Sequence, residues 1–247
     1  MRALRPPSLR TPLEGRLVTQ LLIAFLVSAA FAALAYELEM ISRGGALGGL
    51  LVGTIVYACL GPRGFAVLAL FVVGGSLLTR LGYRSKQRAG TAQEHGGRRG
   101  ARNALANCSV AVLCAVLARA TGSDLFTAAF VASLGAAFAD TSESEIGQLL
   151  SRAPRLITTL EKVPPGTDGA VSLPGTLAGL TAAGLTALLA LFLGLLDTPT
   201  AALLVALAAF LGTVADSLIG ARFPRIGNEA TNVICTLVAA TLAPILT

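Results

Sequence analysis

Long apolar runs suited to a lipid bilayer fill most of this chain and are interrupted by three short polar clusters. The clusters span residues 139–147 (A-D-T-S-E-S-E-I-G), 163–172 (V-P-P-G-T-D-G-A-V-S) and 215–221 (A-D-S-L-I-G-A). An acidic residue in the middle of a membrane helix costs about 2.5–3.5 kcal/mol to insert. A chain that keeps Asp140, Glu143, Glu145 and Asp216 beside a Gly/Pro/Thr segment is built to handle a cation, a phosphate or both. That combination points to chemistry at a membrane surface.

Composition supports a membrane solvent. Only 13% of the 247 residues are charged and 54% are hydrophobic, where a soluble domain carries about 25% charged residues. Mean hydropathy is +0.75. The expected fold is all-α, a polytopic bundle of about seven or eight transmembrane helices. It forms one domain, 17–247, behind a basic segment, 1–16. That segment carries Arg2, Arg5, Arg10 and Arg16, in the style of a signal peptide. The following apolar run, 17–38, is too long for a signal h-region of about 7–15 residues, so it reads as a retained first helix. The net charge of +6 sits mainly between spans, where lipid headgroups explain it. Nucleic-acid binding is excluded by the absence of a reading module. Cys59, Cys108, Cys114 and Cys235 lie in apolar runs without a CxxC pair, and His95 is the single histidine. Disulfide frameworks, zinc sites and His-based triads drop out.

Eight candidate spans emerge: 17–38, 46–60, 64–81, 103–120, 125–139, 171–196, 201–219 and 231–246. The second and fifth are short; a half-span or re-entrant segment at either would leave seven. Gly45, Gly49 and Gly53 recur at four-residue spacing, a pattern that lets helix backbones approach closely. Gly212, Asp216 and Gly220 repeat it around a carboxylate. The 80–102 loop holds seven Arg and Lys residues against Glu94 alone, so it is expected on the cytoplasmic side. With eight spans the motif loop at 140–171 and the 222–230 link share that side. Three spans before the basic loop would put the Arg-bearing N-terminus outside; a re-entrant second segment would remove the conflict, and the side of the N-terminus stays open.

Each polar cluster has a chemical and a plain reading. Crowded carboxylates at the end of the fifth span suit Mg²⁺, which is held by one or two carboxylates plus phosphates and waters, or form a solvated helix end. Gly166 and Gly169, with Thr167, Ser172 and Lys162, enter a helix whose exposed N–H groups favour an anion, or make a simple Pro/Gly turn. Arg99, Asn103 and Asn107 form an i, i+4, i+8 stripe, echoed by Asn228 and Asn232; these amides bind phosphate oxygens beside Arg98, Arg99 and Arg102, or cross-link helices.

As an ordered set, these residues resemble the integral-membrane phytyl-phosphate kinase family. The pattern is Ala-Asp-Thr-x-x-Ser-Glu-Ile-Gly at 139–147, Pro-Arg-x-Ile-Thr-Thr at 154–159, Val-x-x-Gly-Thr-x-Gly-x-Val-Ser at 163–172, Asp-Ser-x-x-Gly-Ala at 216–221, and an Asn-rich last helix from Asn228 to Asn232. Glu143 and Asp168 stand where that family usually has neutral residues. The Asp-Thr and Gly-Thr-x-Gly elements also look like those of CTP-dependent polyprenol kinases. The resemblance implies transfer of a phosphoryl group from CTP, or another nucleoside triphosphate, to a polyprenyl monophosphate, with Mg²⁺ as cofactor. It implies metal-holding, catalytic roles for Asp140, Glu145 and Asp216. Lys162, Gly166, Thr167 and Gly169 would bind the nucleotide, and Arg99, Arg102, Asn103, Asn107 and Asn232 the acceptor phosphate. Partners would be the two substrates and membrane lipids, with room for a homo-oligomer. The rival reading is a transporter or channel using the same carboxylates as an ion path, although no inverted repeat is visible. DxxxD-type signatures of membrane prenyltransferases are absent.

Overall fold

The structure, a computed structural model, describes residues 12–93 and 95–247, with side chains from residue 17 onward. Residues 1–11 of the basic segment lie outside the described residues. The chain runs α1 (Pro12–Glu37), α2 (Arg43–Arg80), α3 (Tyr83–Arg88), a 3₁₀ turn (His95–Gly97), α4 (Ala101–Thr121), α5 (Asp124–Leu150), β1 (Arg155–Leu156), β2 (Ala170–Val171), α6 (Leu173–Phe192), α7 (Pro199–Arg222) and α8 (Asn228–Leu246). Seven of these helices are long and apolar enough to cross a membrane. The architecture is a polytopic helical bundle.

The second and third expected spans, 46–60 and 64–81, both map onto α2. A straight helix of its 38 residues would reach about 57 Å, nearly twice the hydrocarbon thickness of about 30 Å. It does not run straight. Gly61 takes φ 65° and ψ −160° ahead of Pro62, and the helix folds back there. The rings of Tyr57 and Phe65 meet at 5.8 Å. Arg80 Nη2 donates to the carbonyl of Leu38 at 2.5 Å, beside the start of the first leg. Val73 of the second leg packs with Met40, Ile41 and Ala46. Residues 43–60 and 62–80 are therefore two antiparallel legs of about 27 Å each. The first leg is no shorter than the second, so the N-terminal end of α1 lies at the opposite end of the bundle from the basic loop.

This back-folding sorts the connections. The links at 38–42, 81–100, 151–172 and 223–227 gather at one end, and Gly61-Pro62, Gly122-Ser123 and 193–198 lie at the other. At the first end Arg99 pairs with the 38–42 link, donating its N–H to Met40 O at 3.2 Å and accepting from Ser42 N at 3.0 Å.

α5 occupies the centre. Every residue from Ala128 to Ala139 is buried, as expected for a helix apolar on all sides, and it packs against α2, α4, α6, α7 and α8. Small residues permit the close approach: a Cβ at Gly135 would stand 3.1 Å from Ala209, and one at Gly212 only 2.6 Å from the carbonyl of Cys235. The fifth span, expected to end at Ala139, runs on to Leu150. The acidic cluster is therefore helical, and the motif loop starts at Ser151 rather than at residue 140. That loop is held by the antiparallel pairing of Arg155 with Val171 and Leu156 with Ala170. It then enters α6 through Ser172, whose side chain accepts from Gly175 N at 3.3 Å.

The hinge is a stringent test of the hairpin. Positive φ with ψ near 180° is open essentially to Gly alone. Gly61→Val is expected to lower stability by about 1–3 kcal/mol, read as earlier thermal unfolding in detergent; Gly184→Val, at a position on α6 where an added Cβ meets nothing within 4 Å, serves as the control.

Candidate active site

A cavity of about 380 Å³ opens at the end where the long connections gather, within the size range of small-molecule sites. α5 supplies Asp140 and Glu143 to its wall, α7 supplies Asp216 and Ser217, and the motif loop supplies Gly166, Thr167, Asp168 and Gly169. Three helices begin at it: Asn103 comes from the first turn of α4, Gly175 and Thr176 from the first turn of α6, and Asn228 and Asn232 from the first turns of α8. The positive ends of three helix dipoles thus point at a space that also holds carboxylates. Anions and cations both find partners there.

The carboxylates sit close together. Asp140 lies within electrostatic reach of Asp216, Glu143 and Arg99. The Thr231 hydroxyl lies near Asp216 but donates to Asn228 O at 3.1 Å, and Asp216 Oδ1 is buried with no partner. Glu143 accepts from Thr213 Oγ1 at 3.2 Å, and its side chain fills the space that a Cβ at Gly179 would need. Among the described residues no three of His, Cys, Asp and Glu converge closely enough to hold a metal by themselves.

Glu145 stands apart from this group. It is buried and ion-paired with Lys86 of α3, and it does not line the cavity. Lys86 Nζ also donates to the carbonyls of Leu78 at 3.1 Å and Thr79 at 2.9 Å. A basic residue from the loop is thereby plugged into the bundle, and the charge of Glu145 is compensated by protein. Sequence reasoning missed this partner. Lys86 is the one lysine among the arginines of that loop, a thin signal for a buried, compact ammonium.

The motif loop is clamped onto α7. Gly169 takes φ 73°, and a Cβ there would overlap Ala221 and the carbonyl of Ser217. Thr167 Oγ1 donates to Pro164 O at 2.7 Å, closing the turn with its two oxygen lone pairs free of that bond. Lys162 lies outside the cavity, exposed, and bridged through its backbone to Arg155.

The expected acceptor group divides. Asn103 and Asn232 line the cavity. Asn107 is buried and donates to Asn103 O at 3.0 Å. Arg102 is exposed and pairs with Glu229 at 3.3 Å. Arg99 lies behind Asn103, donating to Asn103 Oδ1 at 3.4 Å and Thr141 Oγ1 at 3.3 Å, with its guanidinium 5.4 Å from the ring centre of Phe71. Its Nε is buried and has no partner. Burial pulls the Arg99 pKa below its ordinary value, opposed chiefly by Glu145.

Removing one member of a buried ion pair costs about 3–5 kcal/mol, whereas an apolar replacement of both is often neutral. Lys86→Met should therefore destabilise the folded protein by about that amount, and Lys86→Met with Glu145→Met should recover most of the loss in thermal unfolding. If the single variant melts like the parent, Lys86 does not carry the charge of Glu145.

Comparison with known proteins places the chain. The family described as Integral membrane protein DUF92 matches residues 26–240. The chain is 40% identical to the uncharacterized membrane protein sll0875 of Synechocystis, over 78% of this chain and 77% of that protein. It is 36% identical to Protein VTE6, chloroplastic, of Arabidopsis thaliana, over 78% of this chain and 61% of the plant protein's greater length. It is 34% identical to the uncharacterized membrane protein MJ0933 of Methanocaldococcus jannaschii, over 89% and 91% of the two chains. No solved structure matches. The matched region contains every motif that resembles the phytyl-phosphate kinases, and the chain belongs to the DUF92 family of integral membrane proteins.

Proposed function

We propose that the protein is a Mg²⁺-dependent kinase that moves the terminal phosphoryl group of a nucleoside triphosphate, CTP by resemblance, onto a polyprenyl monophosphate. One observation carries the reading: three helix N-termini and the carboxylates Asp140, Glu143 and Asp216 line the same cavity. Helix N-termini attract phosphates, and carboxylates attract the cation that accompanies them. The sequence similarity to VTE6 and the ordered kinase-like motifs support it.

The chemistry needs no His or Cys. An acceptor monophosphate, with a second pKa near 6, is already doubly charged near neutral pH. One of its oxygens attacks the terminal phosphorus, the bond to the bridging oxygen breaks, and the nucleoside diphosphate leaves with that electron pair. No proton has to move. Catalysis is then positioning and charge stabilisation. The α4, α6 and α8 first turns orient phosphate oxygens, and the Gly166–Gly169 backbone approaches them without side-chain obstruction.

The donor set fits Mg²⁺. It is all oxygen, Asp216 Oδ1 is buried and unpartnered, and too few carboxylates converge for a protein-only cage, which matches a cation completed by phosphates and water. Asp140 and Asp216 would hold it, and its charge would offset that building on the phosphates. Glu145, already paired with Lys86, would act by holding α5 and the basic loop in place. The cavity end faces the cytoplasm in this reading: among the described side chains, Arg63 and Arg119 are the cations at the far end, and the rest gather near the cavity.

Purified protein in detergent with Mg²⁺, each nucleoside triphosphate and a prenyl monophosphate should yield the diphosphate. Asp140→Asn and Asp216→Asn should each cut kcat by about 10²–10³-fold with unfolding temperature preserved. Arg99→Ala should weaken use of the acceptor about ten- to hundredfold, as for loss of one charged contact of about 1.5–3 kcal/mol, and leave the nucleotide KM in place. Ion flux in liposomes with no phosphoryl transfer would instead establish the transporter reading.

A further inference from the structure

A second hollow lies beside the first. It is a narrow, apolar crevice between α1, the α2 hairpin and α4, walled by Phe31, Phe65, Leu68 and Val72, with Gly45, Gly49 and Gly53 as its floor. From Gly45 to Gly53 it follows α2 for about 12 Å. Its head is polar, formed by Arg99, Gly100 and Asn103, and its deep end reaches Ser28. Asn103 lines this crevice and the polar cavity alike, so the two hollows meet at one side chain.

The glycine floor does two different things. A Cβ at Gly53 would press on Ser28 at 3.0 Å and Phe65 at 3.1 Å, and one at Gly45 would overlap the carbonyl of Arg99. Those two positions are explained by packing. A Cβ at Gly49 would meet nothing within 4 Å. Helix packing leaves Gly49 unexplained, and the space in front of it is the crevice.

We propose that this crevice holds the first part of the prenyl chain, with the lipid's phosphate at Arg99 and Asn103, and that Gly49 keeps it wide enough for a long substrate. The proposal rests on the kinase reading for the identity of the lipid. The occupant follows from the chemistry at the two ends. The walls are apolar, while the head presents a guanidinium whose buried Nε lacks a partner and the first turn of α4, both suited to an anion. A molecule with one anionic end and a single apolar tail matches; a soluble nucleotide does not. The junction at Asn103 places the acceptor phosphate against the polar cavity while the tail stays out of it.

The test uses the full chain in detergent with two lipids, geranylgeranyl monophosphate and dimethylallyl monophosphate. Gly49→Leu projects into the crevice from a position where an added Cβ meets nothing within 4 Å. It should raise the KM for geranylgeranyl monophosphate roughly tenfold or more, while the short substrate and the nucleotide keep parental values. Ala104→Leu, from the facing wall of α4, should act in the same direction. Binding is read separately as the rise in unfolding temperature on adding geranylgeranyl monophosphate, which Gly49→Leu should lose and Gly184→Leu should keep. If the parent transfers phosphate to neither lipid, the kinase reading fails, and the binding measurement still decides the crevice. Equal binding of geranylgeranyl monophosphate to parent, Gly49→Leu and Ala104→Leu overturns the proposal. So does stabilisation by a phospholipid that matches the prenyl monophosphate and is lost in the same variants, which assigns the crevice to bilayer lipid.

Discussion

An apolar helix buried on every side cannot leave a charge unanswered, and α5 carries three acidic residues in its last three turns. The rest of the structure follows from how each is answered. Glu145 is neutralised inside the protein by Lys86, which draws the basic loop down onto the bundle. Glu143 is seated by Thr213 and by the missing side chain of Gly179. Asp140 has no such protein partner of its own kind; it faces the cavity with Asp216. On the proposed reading, the burial that would penalise a free carboxylate makes the remaining pair available to a bound cation.

The helix directions complete this. α4, α6 and α8 all begin at the cavity end, α5 and α7 approach it from the other side, and the two legs of the α2 hairpin bring the 38–42 link to the same end. Helices running one way present N–H groups, and helices running the other way deliver Asp140 and Asp216. A single pass in place of the α2 hairpin would have left the 38–42 link, which pairs with Arg99, at the far end. The hinge at Gly61, distant from the site, therefore brings Met40 and Ser42 to Arg99 at the cavity end.

Much of this was legible in sequence. The apolar runs located the spans because backbone polar groups in lipid leave few alternatives to helix, and the Gly61-Pro62 break falls in the gap left between the second and third. The polar clusters located the cavity, since residues kept polar among apolar runs tend to meet. Three features were not legible. The helical extension of α5 to Leu150 was hidden because its last turns are polar and end the hydropathy signal without ending the helix. The Lys86–Glu145 pair joins residues far apart in sequence, with no local pattern to announce it. The α2 stripe read as one packing face, but its glycines have different neighbours: Gly45 and Gly53 meet protein, and Gly49 meets space.

That difference bears on how a membrane enzyme joins two substrates from unlike solvents. A prenyl chain gains about 0.8 kcal/mol for each CH₂ it keeps out of water, so it cannot be drawn into a polar cavity without a large loss. A triphosphate cannot enter lipid for the opposite reason. Two hollows of opposite character that share one residue remove the conflict. On the proposed kinase reading, each substrate stays in the surroundings it prefers, and only the phosphate groups have to meet. Asn103 is suited to that boundary because it is neutral, holds Arg99 through its side-chain oxygen, and belongs to the first turn of α4, where backbone N–H groups are free of helical partners. A charged residue there would favour one phosphate over the other; an amide can serve both.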